Sequence, residues 1–239
     1  MFREWQTELP RDVDLQPIQL PGRENRILEP AFTRMGPLVE SLAKAVIPRS
    51  DLPFALFGHS LGAIICFELC RLLRRMRVRA PSHLFVSGHR APQIPDSDPP
   101  VHQLPDREFI SELERLNGTP DPVLRESELM SLVLPCLRAD FAVAETYVYA
   151  HEPPLDCPIS VFGGANDCEA SRAELAFWEQ QTRAQFTLTI LPGDHFYLRG
   201  RSRSELLRAI ARDLSRIAAE PAGVPAPTSV NSRLVEPHS

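Results

Sequence analysis

The stretch that most limits what this chain can fold into is FALFGHSLGAIICFELCRLL, residues 54–73. A short apolar run, Phe54 to Phe57, suits a strand buried on both faces of a parallel sheet. After Gly62, apolar residues recur at three- and four-residue steps through Leu73. Arg71, Arg74 and Arg75 close the run, where cations suit the negative pole of a helix. Gly58-His59-Ser60-Leu61-Gly62 falls between the two patterns, so the segment reads as strand, sharp turn, helix. Glycine on each side of the turn lets strand and helix approach closely. This is the G-x-S-x-G nucleophile elbow, which lifts the hydroxyl of Ser60 to the carboxyl edge of a sheet. The N–H of Leu61 then points to the same place and can donate to an oxyanion. Three fixed positions match by chance in some chains; a match placed between a strand pattern and a helix pattern is more specific.

An elbow serine needs a base and a group that orients the base. In an α/β-hydrolase sheet these follow the serine in the order acid, then histidine, on later strand ends. FGGANDCEAS puts Asp167 after one strand pattern, and LPGDHFYL puts His195 after the next. Loops at the carboxyl ends of adjacent parallel strands converge, so Ser60, Asp167 and His195 are expected to meet. Asp194, beside His195 in an extended loop, is a poor orienter, and Asp156 precedes its strand at the opposite edge. His59 is expected to pack away from the site. His83, His89, His102, His151 and His238 lie in a strand start, a loop, the insert or the tail.

The rest of the chain alternates in the same way. Strands are expected at 13–20, 83–89, 158–164 and 186–193, and helices at 37–47, 171–182 and 204–220. Residues 93–154 carry prolines and two helical patterns, 106–116 and 126–147, with no strand. The expected fold is therefore α/β: an α/β-hydrolase with a mostly parallel central sheet flanked by helices and a helical lid insertion at about 93–154. One domain should span 1–220, followed by a disordered Pro- and Ser-rich tail at 221–239. The apolar residues Leu129, Leu132, Val133 and Leu137 are expected to pack over Ser60.

With 239 residues and 43% hydrophobic content, the chain can bury a sizeable core. A net charge of −5 without a basic stripe argues against nucleic acid. The start of the chain lacks the apolar run of a signal peptide, and no run reaches transmembrane length, so a cytoplasmic protein without a membrane partner is expected. Five cysteines without C-x-x-C or His pairing read as core thiols rather than a metal site. No cofactor or metal is expected, and the chain is expected to be a monomer.

The set PGRENRILEP, PFALFGHSLGA, HLFVSGHRAP, LRADFAVAETY, PLDCPISVFGGANDCE and FTLTILPGDHFYL resembles the type II thioesterases that accompany polyketide and nonribosomal peptide synthetases. The similarity runs from about Phe2 to Ile217. It implies an editing hydrolase that cleaves acyl or aminoacyl thioesters from phosphopantetheine arms of acyl or peptidyl carrier proteins. It also implies the triad Ser60, Asp167 and His195 and a lid at 93–154. Members of that family usually begin with a strand and an F-P-x-A-G-G-like loop that supplies a second oxyanion donor, and this sequence starts after that segment. Reduced turnover is the expectation, with two alternatives: a general carboxylesterase, or a carrier-protein-binding form with little activity.

Overall fold

A computed structural model describes residues 2–96, 98–116 and 126–219. Four strands, β1 (Ala55–His59), β2 (His83–Ser87), β3 (Ile159–Gly164) and β4 (Phe186–Leu191), form one parallel sheet in the order β1-β2-β3-β4. The registers are continuous: Phe57 faces Phe85, and Val86 faces Val161. Every residue of β2 and β3 is buried, which is why these segments are mostly apolar on both faces rather than alternating.

Helices close both faces. The helix α1 (Met35–Val46) buries Met35, Leu38, Val39, Leu42 and Ala43, an i, i+3, i+4, i+7, i+8 stripe. It packs with α2 (Leu61–Arg75), whose Phe67 meets Trp178 edge-on at 5.3 Å. Each such side chain, fully buried, contributes about 1.5–3 kcal/mol. The other face carries α6 (Arg203–Ala219), with Leu206, Leu207 and Ile210 packed beside Phe85, Phe162 and Trp5. Trp5, from a short 3-10 turn at Phe2–Thr7, sits edge-on to Phe57 at 4.9 Å. Arg203 bridges Glu4 and Glu8 and fastens this turn to the start of α6.

Between β2 and β3 lie α3 (Asp106–Arg115) and α4 (Ser127–Glu145). They form a satellite core of Phe109, Leu113 and Met130, against which Val133 and Leu137 pack. The Arg138 guanidinium lies 4.4 Å over Phe109 and donates to the carbonyls of His102 and Leu104. Only the last turns of α4 reach the main core, through Val143. Arg23, in the turn after residue 20, bonds Asp140 of α4 at 2.7 Å. Further on, Glu152 bridges Arg71, Arg74 and Arg75 and returns the chain along α2 to β3.

Three expectations differ from what is observed. Residues 13–20 form no strand. Pro17 offers no ladder donor, Ile18 is half exposed, and the Gln6 side chain takes up the Val13 carbonyl and the Leu15 N–H instead. The helix at 171–182 is α-helical only over Arg172–Ala176 (α5) and 3-10 over Phe177–Gln181. Leu129 and Leu132 are exposed, at 44% and 60%, rather than packed over Ser60. The expected tail, 221–239 with His238, lies outside the described residues.

Candidate active site

Ser60 occupies the junction of β1 and α2 at φ 53°, ψ −125°, a conformation unfavourable for any residue with a Cβ. Its neighbours hold it there. The Ser60 N–H donates to the Ser87 carbonyl at the end of β2, at 2.8 Å, and the Ser60 carbonyl accepts from Ala63 at 2.8 Å. Gly58 makes the close approach possible: a Cβ on it would lie 2.0 Å from the Gly62 carbonyl oxygen. Gly62 has a different role from the one expected, since a Cβ there would meet nothing within 4 Å. Leu61 opens α2, so its N–H has no intrahelical acceptor.

Asp167 and His195 arrive on the ends of β3 and β4. Beyond β3, the N–H groups of Ala165 and Asn166 donate to the carbonyls of Leu191 and Gly193 and tie the two loops together. The His195 Nδ1 lies 3.1 and 3.0 Å from the two Asp167 carboxylate oxygens. The Asp167 side chain is fully buried and the His195 side chain 13% exposed. A carboxylate in that position accepts the Nδ1 proton and leaves Nε2 as the basic nitrogen. One Asp167 oxygen also takes the Glu169 N–H at 2.9 Å, which fixes the carboxylate from behind. Asp194 caps its own turn by accepting the Phe196 N–H, and Asp156 stands exposed beside Arg183. Both are therefore outside the pair, as the loop argument requires.

The structure thus brings Asp167 and His195 into hydrogen-bond contact beside the elbow, while Ser60 and His195 make no hydrogen bond to each other. The approach of the imidazole to the elbow is visible through its neighbours. His59, the residue before Ser60, has its ring 4.8 Å from that of His195. A Cβ on Gly88, which follows Ser87 at φ 60°, would touch both rings, at 2.8 Å from His59 and 3.3 Å from His195.

His59 therefore does not pack away from the site. Strand alternation puts it on the face of Phe57, and the His195 loop folds over the carboxyl end of that face. Burial, then the nearby His195, pushes the His59 imidazole down to about 3, so it is neutral. The sequence reading also missed Ser87 and Tyr197, whose hydroxyls meet each other, with Ser87 also meeting His59, under the site. A polar residue closing the otherwise apolar run HLFVS was the available signal.

Other histidines and cysteines have structural roles. His102 pairs with Glu145 within the insert. His89 is half-buried, desolvation pushes its imidazole down to about 4, and its carbonyl accepts the Trp178 indole N–H. Burial raises the Cys66 thiol to about 12 and holds Cys70 well above its ordinary value, in keeping with inert core thiols. Cys168 departs from the core reading and is exposed. No described helix is long and apolar enough to cross a membrane.

Comparison with known proteins bears on the family and the fold. A family profile described as a thioesterase domain matches residues 1–215. The chain is 44% identical over 218 residues to the gramicidin S biosynthesis protein GrsT of Aneurinibacillus migulanus, spanning 91% of this chain and 85% of that one. It is 40% identical over 198 residues to the thioesterase PikA5 of Streptomyces venezuelae, spanning 82% and 70%. Among solved structures, the RedJ thioesterase from the prodiginine pathway of Streptomyces coelicolor superposes with a TM-score of 0.82 at 38% identity, covering 89% of this chain and 80% of that one. The profile match over residues 1–215 and the identities to GrsT and PikA5 make the chain a member of the thioesterase family, and the superposition on RedJ gives it the α/β-hydrolase fold.

Proposed function

We propose that this protein hydrolyses acyl or aminoacyl thioesters carried on the phosphopantetheine arms of carrier proteins, as an editing thioesterase of polyketide or nonribosomal peptide synthesis. The observation that carries the reading is the buried Asp167 carboxylate on His195 Nδ1, held beside the strained elbow serine. The pathway names of the relatives support the substrate class.

The chemistry is two-step acyl transfer. His195 Nε2 takes the Ser60 proton as Oγ attacks the thioester carbonyl. The Leu61 N–H donates to the tetrahedral oxyanion, and one such donor is typically worth about 10²–10³ in turnover. The oxyanion collapses, the carbon–sulfur bond breaks, and His195 returns the proton to the departing pantetheine thiol. Water then gives a proton to His195 and attacks the acyl-Ser60 ester, and His195 passes that proton to the departing Ser60 Oγ, releasing the acid and free serine. Asp167 stabilises the imidazolium in both steps without becoming protonated. Residues 93–154 serve as the lid under which the pantetheine arm threads.

The deciding experiment compares one acyl group on two leaving groups, carrier-bound pantetheine and p-nitrophenol. A kcat/KM higher for the carrier-bound thioester supports the reading. A preference for the p-nitrophenyl ester supports a general carboxylesterase, and stoichiometric labelling of Ser60 by a fluorophosphonate without turnover supports a carrier-binding form.

A further inference from the structure

Beneath the Asp167–His195 pair runs a second polar chain that acyl transfer, as described, does not use. The buried Tyr197 hydroxyl meets Ser87 Oγ at 2.5 Å, and Ser87 Oγ meets His59 Nδ1 at 2.9 Å. Ser87 is fully buried and Tyr197 nearly so. The members come from three different parts of the site. Tyr197 lies two residues past His195, His59 directly precedes Ser60, and the Ser87 carbonyl is the acceptor for the Ser60 N–H.

The proton positions follow from counting donors. If Ser87 donated to Tyr197, the tyrosine proton would have no acceptor in a buried place. Tyr197 therefore donates to Ser87, Ser87 donates to His59 Nδ1, and the neutral His59 carries its proton on Nε2. That Nε2 is buried and has no hydrogen-bond partner among the described residues. The chain of hydroxyls therefore constrains the orientation of the His59 ring.

The constraint is visible in the packing. His195 is held on one nitrogen by Asp167 and makes no hydrogen bond to Ser60, so its surroundings limit where the ring can swing. His59 lies against it with centroids 4.8 Å apart, and Phe196 stands edge-on to it at 5.0 Å. The glycine at position 88 leaves room for both imidazoles at once. We propose that the Tyr197–Ser87–His59 chain is a positioning device that sets the His195 imidazole relative to Ser60 by locking the base loop and the elbow to the end of β2. The three are positioning residues, and their role rests on the reading of Ser60 as nucleophile and His195 as base.

The test uses Tyr197→Phe and Ser87→Ala in the full chain, each alone and combined with His195→Ala. The readouts are kcat and KM for an acyl-pantetheine thioester, the rate of fluorophosphonate labelling of Ser60, and the melting temperature. Tyr197→Phe keeps the ring and removes one hydroxyl, so it serves if Ser87→Ala does not fold. The expected result is a fall in kcat of about tenfold with KM within about twofold, since small misplacements of a base are costly. Labelling of Ser60 should slow in parallel. In the His195→Ala background, Tyr197→Phe should slow labelling by no more than about twofold, because no base remains to be positioned. Wild-type labelling by Tyr197→Phe, or full multiplication of the two effects in the double variant, would overturn the positioning role while leaving the triad intact. If His195→Ala itself labels at the wild-type rate, the base assignment fails and the positioning chain falls with it.

Discussion

The strand ends and the helical insert are built on different principles. At the carboxyl edge of the sheet, every segment that carries a candidate catalytic group is held by more than one hydrogen bond from another segment. Ser60 takes its backbone geometry from Ser87, and the Asp167 loop is laced to the His195 loop through Ala165 and Asn166. The insert has its own small core around Phe109, with Leu129 and Leu132 left in solvent, and its ties to the body are mostly polar: Arg23–Asp140, Arg115–Glu169, Tyr147–Glu68 and Glu152 with the arginines of α2, besides the apolar contact of Val143. The comparison teaches where precision is needed. The candidate catalytic groups sit on elements that the sheet over-determines, while the insert packs around a core of its own.

Substitutions at the strand ends should give the largest effects and leave the fold alone. Ser60→Ala should remove hydrolysis, a loss of up to about 10⁶ by analogy with other serine hydrolases, while the circular dichroism spectrum is retained. Asp167→Asn should keep the geometry and lower turnover by about 10⁴, because the amide favours the wrong His195 tautomer. Steady-state rates on a thioester check both. An Asp167→Asn enzyme within tenfold of wild type would separate the buried carboxylate from the chemistry.

Next come losses of stability that ought to stay on their own side of the boundary. Phe109→Ala removes the centre of the satellite core and should cost about 3–5 kcal/mol there. Hydrogen exchange should quicken over 106–115 and 127–137 while 55–59 keeps its protection. Equal loss of protection in both would mean that insert and sheet are one cooperative unit, and the contrast drawn above would fail.

A smaller effect belongs to the sheet alone. His83 is buried at the start of β2, bonded to Ser160 at 2.9 Å, and burial pushes it down to about 4. Its folded form therefore takes up a proton less readily than the unfolded chain, whose histidines titrate near 6.5. The stability it permits is complete above about pH 6.5 and is lost as the pH falls toward 4. Melting temperature should decline through that window, and His83→Gln should lessen the decline, with the remainder carried by His59 and His89, which are also held down by burial. At the other end of the scale, Leu132→Ser on the exposed face of α4 should change stability by less than about 0.5 kcal/mol in a urea titration.

Much of this was legible in the sequence, for identifiable reasons. The elbow could be read because the constraint is local: two element types meet across five residues, and Gly58 is demanded by the Gly62 carbonyl oxygen next to it. Asp167 and His195 could be read because parallel-sheet topology delivers successive strand ends to one edge. Residues 13–20 misled because alternation in Val13 and Leu15 says nothing about whether a partner strand is present, and Pro17 breaks what ladder there could be. His59 misled because a sharp turn suggests that adjacent side chains part company. Its direction is set by the pleat of β1, and its neighbour by a loop more than a hundred residues later. Leu129 and Leu132 misled because apolar spacing fixes a helix face without fixing what covers it.

The central claim is that hydrolysis passes through an ester on Ser60. It is tested most directly by rapid-quench mass spectrometry of the wild-type protein during turnover of an acyl-pantetheine thioester. The account predicts a transient mass increase of one acyl group, located in the peptide carrying Ser60, that forms and decays at the turnover rate and is absent from Ser60→Ala. Turnover that persists in Ser60→Ala, or an acyl group found on another residue such as Cys168, would contradict it.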